Sequence, residues 1–195
     1  MRFMNTLIAY LASVSTASAV TIRNYRTGTC KGNYRECKSI KTYDCCDKSP
    51  TRVFSSSKFL GLPPTGIGAV CREEKGHKCG RIQKAGSGLD LCVGSGNLKG
   101  SFWFDCRQTG TCNRRRGAGQ LDAETAEQTH ATTPTAPDIV AIDDHRFYTN
   151  ETTPEHVVGA LLELYEADVS YEDIPIELKM YEEIEMGEEE QDRGA

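Results

Sequence analysis

Short apolar runs separated by glycine-rich turns dominate the first half of the chain. They carry β-branched and aromatic residues, and some alternate with polar positions, as β-strands do. The runs span residues 52–60, 67–71, 89–93 and 101–106, while residues 72–80 form a charged stretch that predicts a turn. None of them has helical periodicity, so the pattern predicts a compact antiparallel sandwich or barrel.

Beyond residue 137 the pattern changes. Residues 138–142 (DIVAI) predict a short strand, and Thr153 is placed to cap a helix with Pro154 at its first position. Apolar residues then recur at helical spacing to about Ala167, at Val157, Val158, Leu161, Leu162, Leu164 and Tyr165. Residues 171–191 are dominated by glutamate, which favours partial helix or disorder.

The only tryptophan, Trp103, lies between two phenylalanines in the run 101–106. Aromatic strand residues usually pack inward, so we expect Trp103 in the core rather than on a binding surface. Alternation along a strand then places Phe102 and Phe104 on the opposite side. One face of this strand is therefore expected to show aromatic surface.

The first nineteen residues have the features of a secretory signal peptide. Arg2 supplies a positive charge, residues 6–14 are mostly apolar, and Ala17 to Ala19 offer the small side chains that a signal peptidase reads. We expect cleavage between Ala19 and Val20 and a secreted, extracellular protein. A buried N-terminal helix is the alternative, and no later run is long enough for a transmembrane helix.

All nine cysteines fall in the segment that follows. They are Cys30, Cys37, Cys45, Cys46, Cys71, Cys79, Cys92, Cys106 and Cys112. Cysteines in an oxidising compartment pair as disulfides, and no C-x-x-C spacing suggests zinc, so we predict neither a metal nor a cofactor. The odd number predicts four bridges and one thiol, which is free or links two chains as a dimer. The pairing stays open, although Cys45 and Cys46 are expected to reach different partners.

Charge divides the chain into two opposed halves. Residues 20–116 carry a net charge of +12, and residues 117–195 carry −18. A basic module attracts anionic partners such as a membrane or a cell wall, and the acidic half could mask it within the same chain. Arg114, Arg115 and Arg116 stand at the junction, where a processing protease of the secretory pathway could cut; an uncleaved basic surface run is the alternative.

Together these features predict a small disulfide-rich all-β module, an antiparallel sandwich or Greek key, followed by an acidic, partly helical or disordered tail. The expected organisation is a signal peptide at 1–19, the cysteine-rich β module at 20–112, a basic processing site and linker at 113–137, and an acidic tail with one amphipathic helix at 138–195. Asn150 opens the only N-glycosylation sequon.

The order of motifs in residues 30–106 resembles that of fungal small secreted cysteine-rich proteins. It is carried by Tyr34, Cys37, Ile40 and the Cys45–Cys46 pair, followed by FLGLPPTGIGAVC, GHKCG, LDLCVGSGN and SFW. Such proteins are effector-like or toxin-like, and some have a crystallin-like Greek-key fold. The resemblance implies an extracellular β module that acts on another cell or on the wall, and it transfers no functional residue.

Catalytic motifs are scarce. His77 lies near Arg72, Glu73, Glu74 and Arg81, which are residue types that a ribonuclease would use, but no second histidine precedes His130. A solvated charged loop is the simpler interpretation. We therefore expect a non-enzymatic effector or toxin that binds an anionic surface or a host protein, released from an acidic pro-region. The alternatives are a lectin-like carbohydrate- or wall-binding module and a secreted ribonuclease-like toxin.

Overall fold

The computed structural model describes residues 19–46, 53–109 and 133–183 of the 195-residue chain. Six of the described strands form sheet A: β1 (Val20–Tyr25), β2 (Tyr34–Ile40), β4 (Phe54–Leu60), β7 (Leu91–Leu98), β10 (Ile139–Ile142) and β11 (His145–Tyr148). Five form sheet B: β3 (Asp44–Cys46), β5 (Gly66–Glu74), β6 (His77–Gly86), β8 (Gly100–Asp105) and β9 (Thr133–Thr135). A short helix, α1 (Cys106–Thr109), follows β8.

Strand order shows how distant parts of the chain meet. Sheet A runs β11-β10-β2-β1-β4-β7, and sheet B runs β6-β5-β8-β3-β9. Pairing is antiparallel except between β3 and β9, which are parallel. The predicted disulfide-rich β-sandwich is confirmed.

The main core lies between the two sheets. Alternate residues of β1 point into it, so that Val20 and Ile22 are fully buried while Thr21 and Arg23 face outward. Trp103 enters the same core from β8, and its indole Nε1 donates a hydrogen bond to the carbonyl oxygen of Ile40 at 2.8 Å. The expected core position of this tryptophan is confirmed.

Phe102 and Phe104 do point away from Trp103, but the expected aromatic surface is wrong. Both side chains are buried, at 0% and 2% exposure, in a second apolar cluster on the far side of sheet B. Tyr43 stacks on Phe104 in that cluster, with ring centroids 6.2 Å apart. β8 is thus buried on both of its faces, which accounts for its apolar residues on both sides.

Several local boundaries also differ from the predicted ones. The charged stretch 72–80 is a hairpin rather than a turn, since β5 continues to Glu74 and β6 begins at His77. Lys75 and Gly76 form its tip, and both have positive φ. The glycines after Cys92 do not end the strand, because β7 runs through them to Leu98.

The second half of the chain packs onto the first. Helix α2 (Glu155–Ala167), a 3₁₀ helix (Tyr171–Asp173) and α3 (Ile176–Lys179) follow β11. Val157, Leu161 and Tyr165 of α2 pack against Val140 and Ile142 of β10. Alternation in the paired strands places these β10 residues on the same face of sheet A as the main core. Pro154, not Thr153, is the N-cap, and the Thr153 hydroxyl instead donates a hydrogen bond to the carbonyl of Tyr148.

Three disulfides are described in full. Cys30–Cys92 joins the β1–β2 loop to β7, Cys37–Cys46 joins sheet A to sheet B, and Cys45–Cys79 joins β3 to β6. Cys106 is also disulfide-bonded, Cys71 is a free, buried thiol, and Cys112 lies outside the described residues. Adjacent Cys45 and Cys46 thus reach different partners, as expected. Each bridge is worth about 2–4 kcal/mol through restriction of the unfolded chain.

Across the three described ranges, no helix combines the length and hydropathy needed to cross a membrane.

Candidate ligand-binding site

The outer face of sheet A, which points away from sheet B, carries a shallow, open cleft of about 380 Å³. Strands β1, β2 and β11 supply its charged side chains, and the end of β4 supplies its rim. Its lining residues are Ala19, Thr21, Arg23, Glu36, Lys38, Ser39, Leu60, Gly61 and Arg146. Its volume is in the range of small-ligand sites, and because it is open to solvent, a ligand bound there would stay partly exposed.

Glu36 is the centre of the cleft floor. It is only 1% exposed, and its two carboxylate oxygens accept hydrogen bonds from Arg23 Nε at 2.5 Å and from an Arg146 terminal nitrogen at 2.6 Å. Arg23 faces Glu36 across the β1–β2 pair, and its guanidinium also lies 4.7 Å from the Tyr34 ring centroid. A buried carboxylate held by two guanidinium groups fixes both arginines in place.

Glu183 joins the other cations of the cleft. Its carboxylate accepts a hydrogen bond from Lys38 Nζ at 2.7 Å and lies 2.9 Å from Arg146 Nε, without hydrogen-bond alignment. Partial burial raises the pKa of this carboxyl, but the hydrogen bond from Lys38 and the positive charges of Arg146 and Lys38 outweigh it and hold the pKa below its ordinary value. Glu183 is therefore ionised at neutral pH.

A β-bulge shapes the rim of the cleft. Val20 pairs with Ile40 and Ile22 pairs with Cys37, so Thr21 alone faces two residues of β2, Lys38 and Ser39. The backbone N–H of Lys38 donates to the Asp138 carboxylate at 2.7 Å. The segment after residue 133 thus fixes the bulge that displays the Lys38 side chain.

Positive charge exceeds negative charge on this face. Lys58 of β4 is the cross-strand partner of Arg23, which places it beside the cleft on the same side of the sheet. Arg23, Lys38, Lys58 and Arg146 therefore stand against Glu36, Glu183 and the Asp138 carboxylate at the bulge, a surplus of one positive charge. With the hydroxyls of Thr21 and Ser39, the arrangement can bind an anionic group such as a carboxylate, sulfate or phosphate.

The predicted ribonuclease residues do not form a built site. His77, Glu73, Glu74, Arg72 and Arg81 are exposed along the β5–β6 hairpin, and Glu74 pairs with His77 only through the strand register. Among the described ranges, no cluster of His, Cys, Asp and Glu is arranged to hold a metal ion.

The remaining predicted sites are placed as follows. Arg114, Arg115 and Arg116 lie outside the described residues, as do residues 1–18, whereas Val20 is the first residue of β1. Asn150 is half-buried between β11 and α2, and its side-chain oxygen accepts hydrogen bonds from the Thr152 backbone N–H at 3.1 Å and the Thr152 hydroxyl at 2.6 Å. Glycosylation, processing and signal cleavage stay predictions.

The protein is a cysteine-rich β-sandwich with an acidic extension. The extension adds β10 and β11 to sheet A and then continues as short helices. Residues 21–138 match the family model ARB_05566_N, described as an N-terminal domain. Because the match covers more than half of the chain, the protein belongs to this family. The matched region begins within β1 and ends one residue before β10, so β10, β11 and α2 lie beyond it. No curated protein and no solved structure matched the chain.

Proposed function

We propose that this is a secreted, disulfide-stabilised protein of the fungal effector or toxin type, whose basic module acts by binding an anionic membrane or wall surface rather than by catalysis. The observation that carries the proposal is the cationic face of sheet A. Its arginines are preset by the buried Glu36 carboxylate, so that little conformational entropy is lost when an anion binds. The disulfides and the resemblance to secreted cysteine-rich proteins support an extracellular setting.

The acidic segment has two opposing effects on this face. It brings carboxylates to two module cations, since Glu183 contacts Lys38 and Asp168 lies 3.5 Å from Arg26. The Arg26 guanidinium also donates hydrogen bonds to backbone carbonyls at the end of α2. The segment also supplies Arg146, one wall of the cleft. These contacts support a role for the segment as a partial mask, as in the pro-region hypothesis. Removing the segment would also take away a binding group.

Binding to vesicles provides the test. We expect the mature protein to bind phosphatidylserine-containing vesicles but not phosphatidylcholine vesicles, with affinity that falls as NaCl rises. Lys58→Gln should weaken binding about fivefold, because one cation near an anionic surface contributes about 1 kcal/mol. Lys58 has no described ion-pair partner, so its loss leaves the Glu36 network intact.

Lys84→Gln is the matched control. It removes the same charge from an exposed position on β6 of the other sheet. Equal weakening by the two variants would show attraction by overall charge and would contradict a role for the cleft. Salt-insensitive binding to neutral glycans would favour the lectin-like alternative, and RNA cleavage lost in His77→Ala would favour the ribonuclease alternative.

A further inference from the structure

The predicted mature amino terminus lies at the cleft. Ala19 is one of the lining residues, and the next residue, Val20, is the first of β1. Val20 is held firmly, since its side chain is fully buried in the main core and its backbone is registered against Ile40. The nitrogen that joins these two residues therefore has a fixed position beside the cleft.

Gly61 leaves room for the main chain at Ala19. A side chain at residue 61 would place its Cβ 3.0 Å from the Ala19 carbonyl oxygen, and the backbone of Gly61 has a φ of +73° that favours glycine. The chain thus passes over the end of β4 with no side chain beneath it. In the uncut chain, residue 19 occupies this side of the cleft opening.

We propose that removal of residues 1–19 turns the Val20 nitrogen into a further cationic group of the anion site. Hydrolysis of the Ala19–Val20 bond consumes one water molecule: Ala19 leaves with a carboxylate, and Val20 keeps the nitrogen as an α-ammonium group. The charge surplus at the cleft rises by one, and Ala19 no longer lines the cleft. Signal-peptide cleavage and completion of the binding site are then one event. This inference rests on the function proposed for the cleft.

The ammonium group has a chemical signature that the other cations lack. An α-amino group titrates near pH 8, well below lysine and arginine. Sulfate binding by the mature chain should therefore weaken between about pH 7 and pH 9, while the lysine and arginine side chains stay charged. Sulfate is a suitable probe because its own charge does not change in this range.

The test compares two forms of the same secreted chain, after N-terminal sequencing has shown that it begins at Val20. One form has a free amine, and the other is acetylated at the α-amine at pH 6.5, where lysines are protonated and unreactive. Sulfate is titrated at constant ionic strength, and NMR signals of the arginine side chains report binding. We expect the acetylated form to bind about fivefold more weakly at pH 6.5 and to lose the pH dependence.

The outcomes separate this inference from the function on which it rests. Equal affinity of the two forms, with signals of Arg23 and Arg146 shifting in both, would overturn the role of the amino group and leave the anion site standing. A chain that begins elsewhere than Val20 would overturn it as well. If sulfate shifted neither arginine in either form, the anion site itself would be wrong, and the proposed function with it. The Lys84→Gln variant should match the wild type in both forms.

Discussion

At the scale of single residues, Asn24 is a polar link between the two sheets. It is 1% exposed, its amide nitrogen donates to the Cys46 carbonyl at 3.3 Å, and its oxygen accepts the hydroxyls of Ser57 and Ser101 at 2.6 and 2.8 Å. We expect Asn24→Ala to lower the free energy of unfolding by about 2 kcal/mol, because two buried hydroxyls lose their acceptor. Denaturant unfolding with intact disulfides measures this loss.

A second variant separates this network from simple loss of packing. When Ser57→Ala and Ser101→Ala are added to Asn24→Ala, no buried hydroxyl remains without an acceptor. The triple variant should therefore be destabilised by less than the sum of the separate losses. Strict additivity would mean that the hydrogen bonds contribute nothing beyond the volume of the side chains.

Cys71 is the free thiol among the described residues, and its position decides its reactivity. It is fully buried in the cluster on the far side of sheet B, and burial raises the pKa of its thiol far above the ordinary value. We expect no alkylation of Cys71 by iodoacetamide in the native protein at pH 8, and full alkylation in guanidinium chloride, as read by peptide mass spectrometry. Rapid native alkylation would contradict its burial. An intermolecular bridge through Cys71 would likewise require it to leave the core.

At the scale of elements, Arg26 fastens the end of α2 to the β1–β2 loop. Its guanidinium donates to the carbonyls of Tyr165 and Glu166 at 2.8 and 2.7 Å, at the negative end of the helix dipole. We expect Arg26→Gln to cost about 1–2 kcal/mol and to speed amide hydrogen exchange in the last turn of α2. Lys31→Gln, at an exposed position in the same loop, is the control for loss of charge. Equal exchange rates in the two variants would contradict the fastening role.

The sequence predicted those elements in which apolar residues occur at the positions that are buried in the structure. β4, β5 and β8 carry apolar and aromatic runs, and α2 carries a helical stripe. β1 and β2 were missed because their outward positions hold charged residues such as Arg23, Glu36 and Lys38, which mimic a loop. β6 was missed for the same reason: the residues on both sides of the hairpin tip are charged, but their backbones pair as far as Glu74 and His77.

At the scale of the whole molecule, the opposed charges of the two halves were visible in the sequence, but the cleft was not. Its cations come from β1, β2 and β11, which are brought together by long-range strand pairing. Glu36 resembles an ordinary surface glutamate until the pairing of β10 with β2 places Arg146 above it. The local signal was limited to the charged residues Arg23, Glu36 and Lys38 within an otherwise ordinary stretch.

The same long-range pairing predicts what a cut between the two halves would do. β10 pairs with β2, β9 pairs with β3, and Tyr165 is fully buried in the second half's own apolar cluster while lying 5.5 Å from the buried guanidinium of Arg35. The backbone pairing of these strands and the packing of Ala141 against Tyr25 and Tyr34 join the halves independently of exposed charges. We therefore expect a chain cut at a protease site introduced within residues 117–128 to elute as one complex in size-exclusion chromatography, even in 1 M NaCl, where exposed ion pairs are screened.

Two variants locate the forces in that complex. Leu161→Ala removes an apolar side chain from the second half's own cluster of α2 and β10. It should promote dissociation of the cut chain, because a loss of about 2–5 kcal/mol weakens the fold that presents β10 to β2. Lys38→Gln removes only a half-exposed ion pair with Glu183, whose contribution is about 1 kcal/mol or less, and should leave the complex intact. Release of the acidic fragment by salt alone would show instead that charge holds the halves together. In that case cleavage at Arg114 to Arg116 could free the basic module, as a pro-region requires. If the complex instead survives high salt, cleavage would leave Arg146 in the cleft.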